Sequence, residues 1–374
     1  MLSNWKRGFV PSAETSAAIR MIRPLLVLFI TFAHIGLLNA YGLMEITAPL
    51  DFDGWLTVFL QAGLAKSGVP LLSLISGYLA VVTLERYGYF KVLLRKARRL
   101  LWPMFWSNLL FIILITYPEQ ARDPGVRPDL EIYPFNVMGW FQATFAYYKL
   151  PANQPLFFLK DLFTCFLLLP LLIAVSRIRY LNVLVIGWMA WKCIYLNSAF
   201  LFDVYPLIFM RFDIVFAFYI GILLNYWRKD LVITHPRLNQ ALVLLFLAVS
   251  SLAASLYLVL AKPEHLGLFL WADFIVKVCG VLGCIAIMSL LATFPGWLSR
   301  LLDWLSPFAY TLFLTHVFTF TFFLQLYLKV LSPPEIFGFS GILYLLMTVS
   351  TAILVSIALK TLWSALSARV SSRV

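Results

Sequence analysis

The stretch PLLVLFITFAHIGLLNAYGLM runs from Pro24 to Met44 without a charge. A helix needs about 20 apolar residues to cross the hydrocarbon core of a bilayer, so this segment reads as a transmembrane span. It is longer than the apolar region of a cleaved leader and follows a polar to mixed N-terminal segment, so it reads as a permanent first helix. Leu100–Pro118, Leu238–Ala261, Trp304–Leu328 and Phe337–Leu359 are uncharged in the same way. Gly68–Leu84, Leu156–Ser176, Tyr180–Phe202, Tyr205–Trp227 and Leu266–Leu290 also read as helices, each carrying an occasional polar or charged residue. In lipid such residues must face protein or water.

Composition agrees. The 374-residue chain is 62% hydrophobic and 12% charged, with a mean hydropathy of +0.89. A soluble domain is about 25% charged. The expectation is an all-α integral membrane bundle of about ten transmembrane helices, forming a single domain over residues 1–374. Most of the basic residues, among them Lys6, Arg7, Arg20, Arg23, Lys91, Arg95, Lys96, Arg98 and Arg99, then fall on the face that holds both termini. Positively charged loops stay cytoplasmic, so both termini and the segment 1–23 are expected there. The longest outer loop is 119–154, and its aromatic stretch Ile132–Tyr148 reads as a helix lying at the interface. The net charge of +12 is thereby a matter of topology and calls for no nucleic-acid partner. Cys165, Cys193, Cys279 and Cys284 sit in apolar segments and imply neither a disulfide framework nor a thiolate metal site.

Two histidines need a reason, because His34 and His316 fall well inside apolar segments. His34 follows Arg23 by eleven residues, about 16 Å of helix, which puts its imidazole near mid-membrane if Arg23 is at the inner headgroups. Such an imidazole can be a nucleophile or general base, since its ordinary pKa near 6.5 lets it give and take protons at neutral pH. His34 and His316 could instead be the axial pair of a haem or a proton relay in a transporter. Each could also be a neutral histidine hydrogen-bonded between helices.

The spacing Arg23-x10-His34 resembles the first-helix motif of the family-3 membrane acyltransferases, and five further segments resemble that family in order. They are Gly68-Val69-Pro70 through Ser76-Gly77-Tyr78; the basic run from Arg95 to Arg99 ending at Trp102-Pro103; Pro155 through Leu162; Arg211 through Gly221; and Ser306 through His316. Phe157, Lys160, Ser73 and Pro24 depart from the family pattern, and these departures bear on the subgroup and the acceptor. The resemblance implies a bacterial polysaccharide O-acyltransferase of the inner membrane. Such a protein moves an acyl group, most commonly acetyl, from cytoplasmic acetyl-CoA to a hydroxyl of an exported or surface glycan, an exopolysaccharide for example.

On that reading His34 is catalytic and Arg23 supports the donor, while Arg95, Arg98 and Arg99 meet the donor phosphates through guanidinium forks. His316, Lys160, Asp161 and Arg211 are secondary or acceptor-side candidates. Lys160 with Asp161, and Arg211 with Asp213, could equally neutralise each other within the bundle, and Asp273 with Lys277 reads as an i, i+4 ion pair. Lys66 and Lys192 have no role legible from sequence. No bound cofactor and no metal are expected. The partners are acyl-CoA as donor substrate, a carbohydrate acceptor, the bilayer, and the glycan biosynthesis or export machinery. The competing reading is a transporter or flippase for a lipid-linked sugar.

Overall fold

The structure is a computed structural model, and it describes residues 8–34, 52–125, 127, 130–147, 150–196, 211–260, 263–330 and 339–371. Among these there is no β-strand. The helices in chain order are α1 (Ala13–Ala33), α2 (Phe52–Val58), α3 (Phe59–Tyr87), α4 (Tyr89–Arg122), α5 (Val137–Phe145), α6 (Gln154–Leu167) and α7 (Leu169–Ser176). They continue with α8 (Arg179–Leu196), α9 (Phe212–Tyr226), α10 (Pro236–Leu260), α11 (Leu266–Thr293), α12 (Trp297–Leu305), α13 (Ala309–Val330) and α14 (Phe339–Ser371). Each of the ten segments expected to be helical overlaps at least one of these helices. Among the described residues seven helical stretches are long and apolar enough to cross a membrane, and an eighth arises if α6 and α7, bent by 58° at their junction, count as one span. The described part of α9 is shorter, at 15 residues. The interfacial segment forms α5, whose 9 residues are far too few to span.

The first helix is out of register with its expectation. It does not start at Pro24 but at Ala13, and it ends at Ala33, so His34 stands in the turn after the helix rather than well inside it. The part of the expected span beyond His34 lies outside the described residues. The physical reason is amphipathicity: Thr15, Ala18, Ile19, Ile22 and Leu26 recur at helical spacing and are buried, while Arg20 and Arg23 are exposed. A polar N-terminal half does not stop a helix whose buried stripe continues. Pro24 sits inside α1, where it frees the carbonyl of Arg20 from its helical bond.

Among the described residues three single π-helical turns interrupt the long helices, at Phe59–Gly63, Ala97–Leu101 and Ile112–Thr116. Two of them come just before a proline, Pro103 and Pro118. A proline ring collides with the carbonyl four residues back and offers no N–H, so a widened turn directly before it absorbs both problems within one continuous helix.

The chain forms two compact units: residues 1–12 with 69–231, and residues 13–68 with 232–374. In the first unit α3 and α9 come together backbone to backbone. A methyl group built on Gly77 would lie 1.9 Å from the Phe218 carbonyl oxygen, and one on Gly221 would lie 2.1 Å from that of Leu74. Small residues allow this approach where no hydrophobic force separates helix from lipid. Tyr78, Phe166, Phe218 and Tyr219 fill the surrounding core. Asn225, also on α9, clamps the start of the chain, accepting from the Phe9 N–H at 3.1 Å and donating to its carbonyl at 2.8 Å.

The loop 119–154 is ordered over its described residues through side-chain amides. Gln120 accepts from the Ile132 and Tyr133 N–H groups and donates to the Arg127 carbonyl. Asn108 donates to the Thr144 carbonyl and accepts from the Asn153 N–H.

In the second unit α10 and α11 pack closely, with Gly283 against Phe246 and Gly280 against Ser67, which itself contacts Cys284. Arg20 on α1 pairs with Asp303 on α12 at 3.3 Å.

Gly77→Ala therefore forces α3 and α9 apart and is expected to cost at least the ~1–3 kcal/mol typical of overpacking. Gly187→Ala, where a methyl group would meet nothing within 4 Å, is expected to be silent. Thermal denaturation of the detergent-purified protein, followed by loss of monodispersity, separates the two. An unshifted midpoint for Gly77→Ala would contradict the close approach.

Candidate active site

Both membrane histidines lie in the second unit, and the structure brings them together: their ring centroids are 5.8 Å apart, tilted by 46°. They differ in access. His34, held by a hydrogen bond from its backbone N–H to the Thr31 carbonyl at 3.1 Å, is half-buried. His316, in the second turn of α13, is completely buried. Its Nδ1 lies 2.8 Å from the Phe313 carbonyl and 3.2 Å from that of Leu312. Carbonyl oxygens only accept, so Nδ1 carries the proton and Nε2 presents a lone pair. That Nε2 has no hydrogen-bond partner. The ring also packs against Phe313 and Phe320, with centroids 6.0 and 5.5 Å away.

Arg23 is on α1, the helix that leads into the His34 turn, and exposed, with neither a hydrogen bond nor an ion pair among the described residues. The other basic candidates belong to the first unit. Arg95, Arg98 and Arg99 are all exposed, with Arg98 and Arg99 in the π turn of α4. Arg95 lies over the Tyr87 ring at 3.8 Å, and Lys96, half-buried, lies over Phe166 at 4.1 Å.

Lys160, Asp161, Arg211 and Asp213 form one connected network in that unit. Lys160 donates to the Ala146 carbonyl at 3.1 Å and pairs with Asp161 at 3.2 Å. Asp161, wholly buried, accepts from the Arg211 backbone N–H at 3.1 Å. The Arg211 guanidinium grips both oxygens of Asp213 and stands over the Phe157 ring at 5.0 Å. These charges neutralise one another, and they also fix the end of α5 and the start of α9.

A second network lies in the other unit. Asp273 on α11 pairs with Lys277 one turn on at 2.7 Å, as its spacing predicts, and with Lys66 at 2.8 Å. Lys66 had no legible role in the sequence, and its partner is more than two hundred positions away. A cavity of about 20 Å³ adjoins this bridge, lined by Lys66, Asp273, Tyr257 and Phe269 among others. Lys192 lies over Trp191 at 4.7 Å. Among the described residues no group of three or more His, Cys, Asp or Glu side chains is placed to hold a metal ion.

An apolar helical bundle with a partly accessible imidazole beside a buried one, and an arginine exposed on the helix that leads to the first, suits an enzyme of the membrane that moves a group between two substrates. Comparison with known proteins identifies the class: the model of the acyltransferase domain, Acyl_transf_3, matches residues 16–361, and the chain belongs to that family of acyltransferases. It is 32% identical over 293 residues to the succinoglycan biosynthesis protein ExoH of Rhizobium meliloti (strain 1021), covering 75% of this chain and 72% of that protein. No solved structure matches it. The family assignment displaces the transporter reading.

The bridging of two lysines by Asp273 has a measurable consequence. Asp273→Ala leaves two ammonium groups facing each other, and unpairing a buried charge costs about 3–5 kcal/mol. Lys277→Met leaves Asp273 paired with Lys66, so its loss is expected to be clearly smaller. The fraction of each variant that survives detergent extraction and heating reports the difference. Equal survival would refute the bridge.

Proposed function

We propose that this acyltransferase moves an acyl group, acetyl in the first instance, from cytoplasmic acyl-CoA to a hydroxyl of an exported polysaccharide, and that His34 is its reactive residue. The work is done by a single transmembrane domain of about ten spans in a bacterial inner membrane, with both termini in the cytoplasm. The placement of the basic residues supports that topology. The relative named for succinoglycan biosynthesis supports a glycan as acceptor.

The observation that carries the reading is the position of His34. It ends α1, remains partly accessible, and has a buried imidazole as its neighbour. In direct transfer His34 takes the proton of the acceptor hydroxyl as the oxygen attacks the thioester carbonyl. The C–S bond breaks, the thiolate of CoA leaves, and the proton on His34 passes to that sulfur. In the covalent route the neutral imidazole attacks the thioester first, the C–S bond breaks and the thiolate of CoA leaves; the acceptor hydroxyl then attacks the acyl-imidazolium, the N–acyl bond breaks and the hydroxyl proton passes to the thiolate. Both routes need the same residue in the same place.

Arg23, exposed on α1, offers a guanidinium fork to the donor phosphates. The Arg95, Arg98 and Arg99 cluster, exposed on the face expected to be cytoplasmic, serves the same donor. Lys160 and Arg211 serve the acceptor side from within their ion-pair network.

The test is incorporation of labelled acetyl from acetyl-CoA into the glycan of membrane vesicles, comparing wild type with His34→Ala at equal abundance. Loss of at least about 100-fold is expected, the usual scale for removing a general base. Arg23→Ala is expected to raise the KM for acetyl-CoA. Unchanged label with His34→Ala would remove His34 from the mechanism, and label only from succinyl-CoA would reassign the donor.

A further inference from the structure

We propose that the cavity beside the Lys66–Asp273 bridge is an acceptor subsite, in which Lys66 and Asp273 together hold one hydroxyl of a neutral sugar residue of the glycan. The inference rests on the reading of the protein as a glycan acyltransferase and names residues for its acceptor.

The wall of the cavity carries the argument. Its charged part is Lys66 and Asp273, 2.8 Å apart, and around them stand apolar and aromatic side chains, among which Tyr257 and Phe269 meet edge to face at 5.8 Å between centroids. Among the described residues Asp273 is the only partner of the Lys66 ammonium, whose side chain is 36% exposed. An ammonium has three N–H groups, so two remain for a ligand. Asp273 gives one oxygen to Lys66 and the other to Lys277, and each carboxylate oxygen can accept a further hydrogen bond. A hydroxyl both donates and accepts, so it can bond the carboxylate and the ammonium at once and leave the bridge intact. An anion would be opposed by Asp273, and a cation by the two lysines.

Size and surroundings narrow the ligand further. A cavity of about 20 Å³ takes one oxygen-sized group, so a hydroxyl enters while the sugar ring stays at the mouth. Ala62 and Tyr257 of the cavity wall share a small core with Trp55 and Phe59, whose rings stack 5.2 Å apart. The aromatic surface therefore continues past the cavity, and the apolar C–H face of a pyranose is matched by such rings. Few polar groups set among aromatic ones is the usual composition of a ligand site. The place suits the chemistry too. Lys66 lies in the 3-10 turn Leu64–Ser67, which packs against α1, and the residue after that turn, Gly68, lies against Ile30 and the Leu26 carbonyl. Ile30 is one helical turn before His34. The subsite is thus built on the segment that supports the His34 end of α1.

The probe is a set of oligosaccharides cut from the surface glycan of the cells that make the protein, after alkaline removal of its acyl groups. Detergent-purified protein receives them with labelled acetyl-CoA. Lys66→Met keeps the length of the side chain and leaves Asp273 paired with Lys277. Ala272→Leu fills the cavity from a regular helix and leaves both lysines in place; where Lys66→Met does not fold, it decides alone. Each is expected to raise the KM for the oligosaccharides at least about tenfold, the scale of a lost hydrogen bond to a charged group, with the KM for acetyl-CoA within twofold of wild type. A purely structural bridge predicts lower turnover of Lys66→Met at an unchanged oligosaccharide KM. A cavity that holds only an ordered water predicts that same KM unchanged in Ala272→Leu. Either result would overturn the proposal, as would recovery of Lys66→Met by added anionic lipid, which would put a phosphate at the site. Wild type that labels the oligosaccharides, beside two variants with its own KM for them, overturns this inference alone. Wild type that transfers neither acetyl nor succinyl label to them overturns the glycan reading and the inference together.

Discussion

A charge inside a membrane has nowhere to go but onto an opposite charge, and the Asp273 carboxylate between Lys66 and Lys277 is where this constraint shapes the site-bearing unit. Lys66 belongs to the 3-10 turn Leu64–Ser67 within α3, which follows a π turn, and that irregular stretch packs against both α1 and α11. The ion pair therefore ties an intrinsically weak piece of helix to a long regular one. Gly280 against Ser67 and Gly68 against the Leu26 carbonyl bring the backbones close around it. Since α1 rests on this assembly, the position of its end, and so of His34, depends on this ion pair.

How much of this the sequence discloses depends on the range of the interaction. Helix positions follow from apolar runs, because lipid enforces a local rule on every residue. The register of α1 does not, because Ala13–Arg23 looks polar to a hydropathy count while Thr15, Ala18, Ile19 and Ile22 keep the buried stripe of a helix; a period of 3.6 was the available signal. The i, i+4 pair of Asp273 with Lys277 is legible from spacing alone. The bond from Lys66 to the same carboxylate is not, since it joins residues far apart in the chain. The same holds for the ring contact of His34 with His316: each histidine stands out by itself, and nothing in the linear sequence says that they meet.

The π turns occupy a middle ground. Pro103 and Pro118 announce that something must yield in the preceding turn, and a break in the helix is the ordinary expectation. The structure keeps one continuous helix and widens a turn instead, at Ala97–Leu101 and Ile112–Thr116. The first of these turns carries Arg98 and Arg99. A proline read as punctuation thus changes how two basic side chains are presented.

The difference in burial between the two histidines fits a site that must admit reagents and still control geometry. A reactive imidazole needs an open side, and an open side leaves it free to rotate and to exchange tautomers. Enclosing it would cure that and exclude the substrates. The two conditions fall on neighbouring rings: His34 is partly accessible in the turn after α1, and His316 is fully enclosed on α13 with its own Nδ1–H tied to its backbone. The His316 ring is held by hydrogen bonds from a neutral N–H to backbone carbonyls, which introduce no charge into the apolar interior. In a bundle where Asp161 and Asp273 each meet a lysine, an uncharged support is the arrangement that asks least of its surroundings.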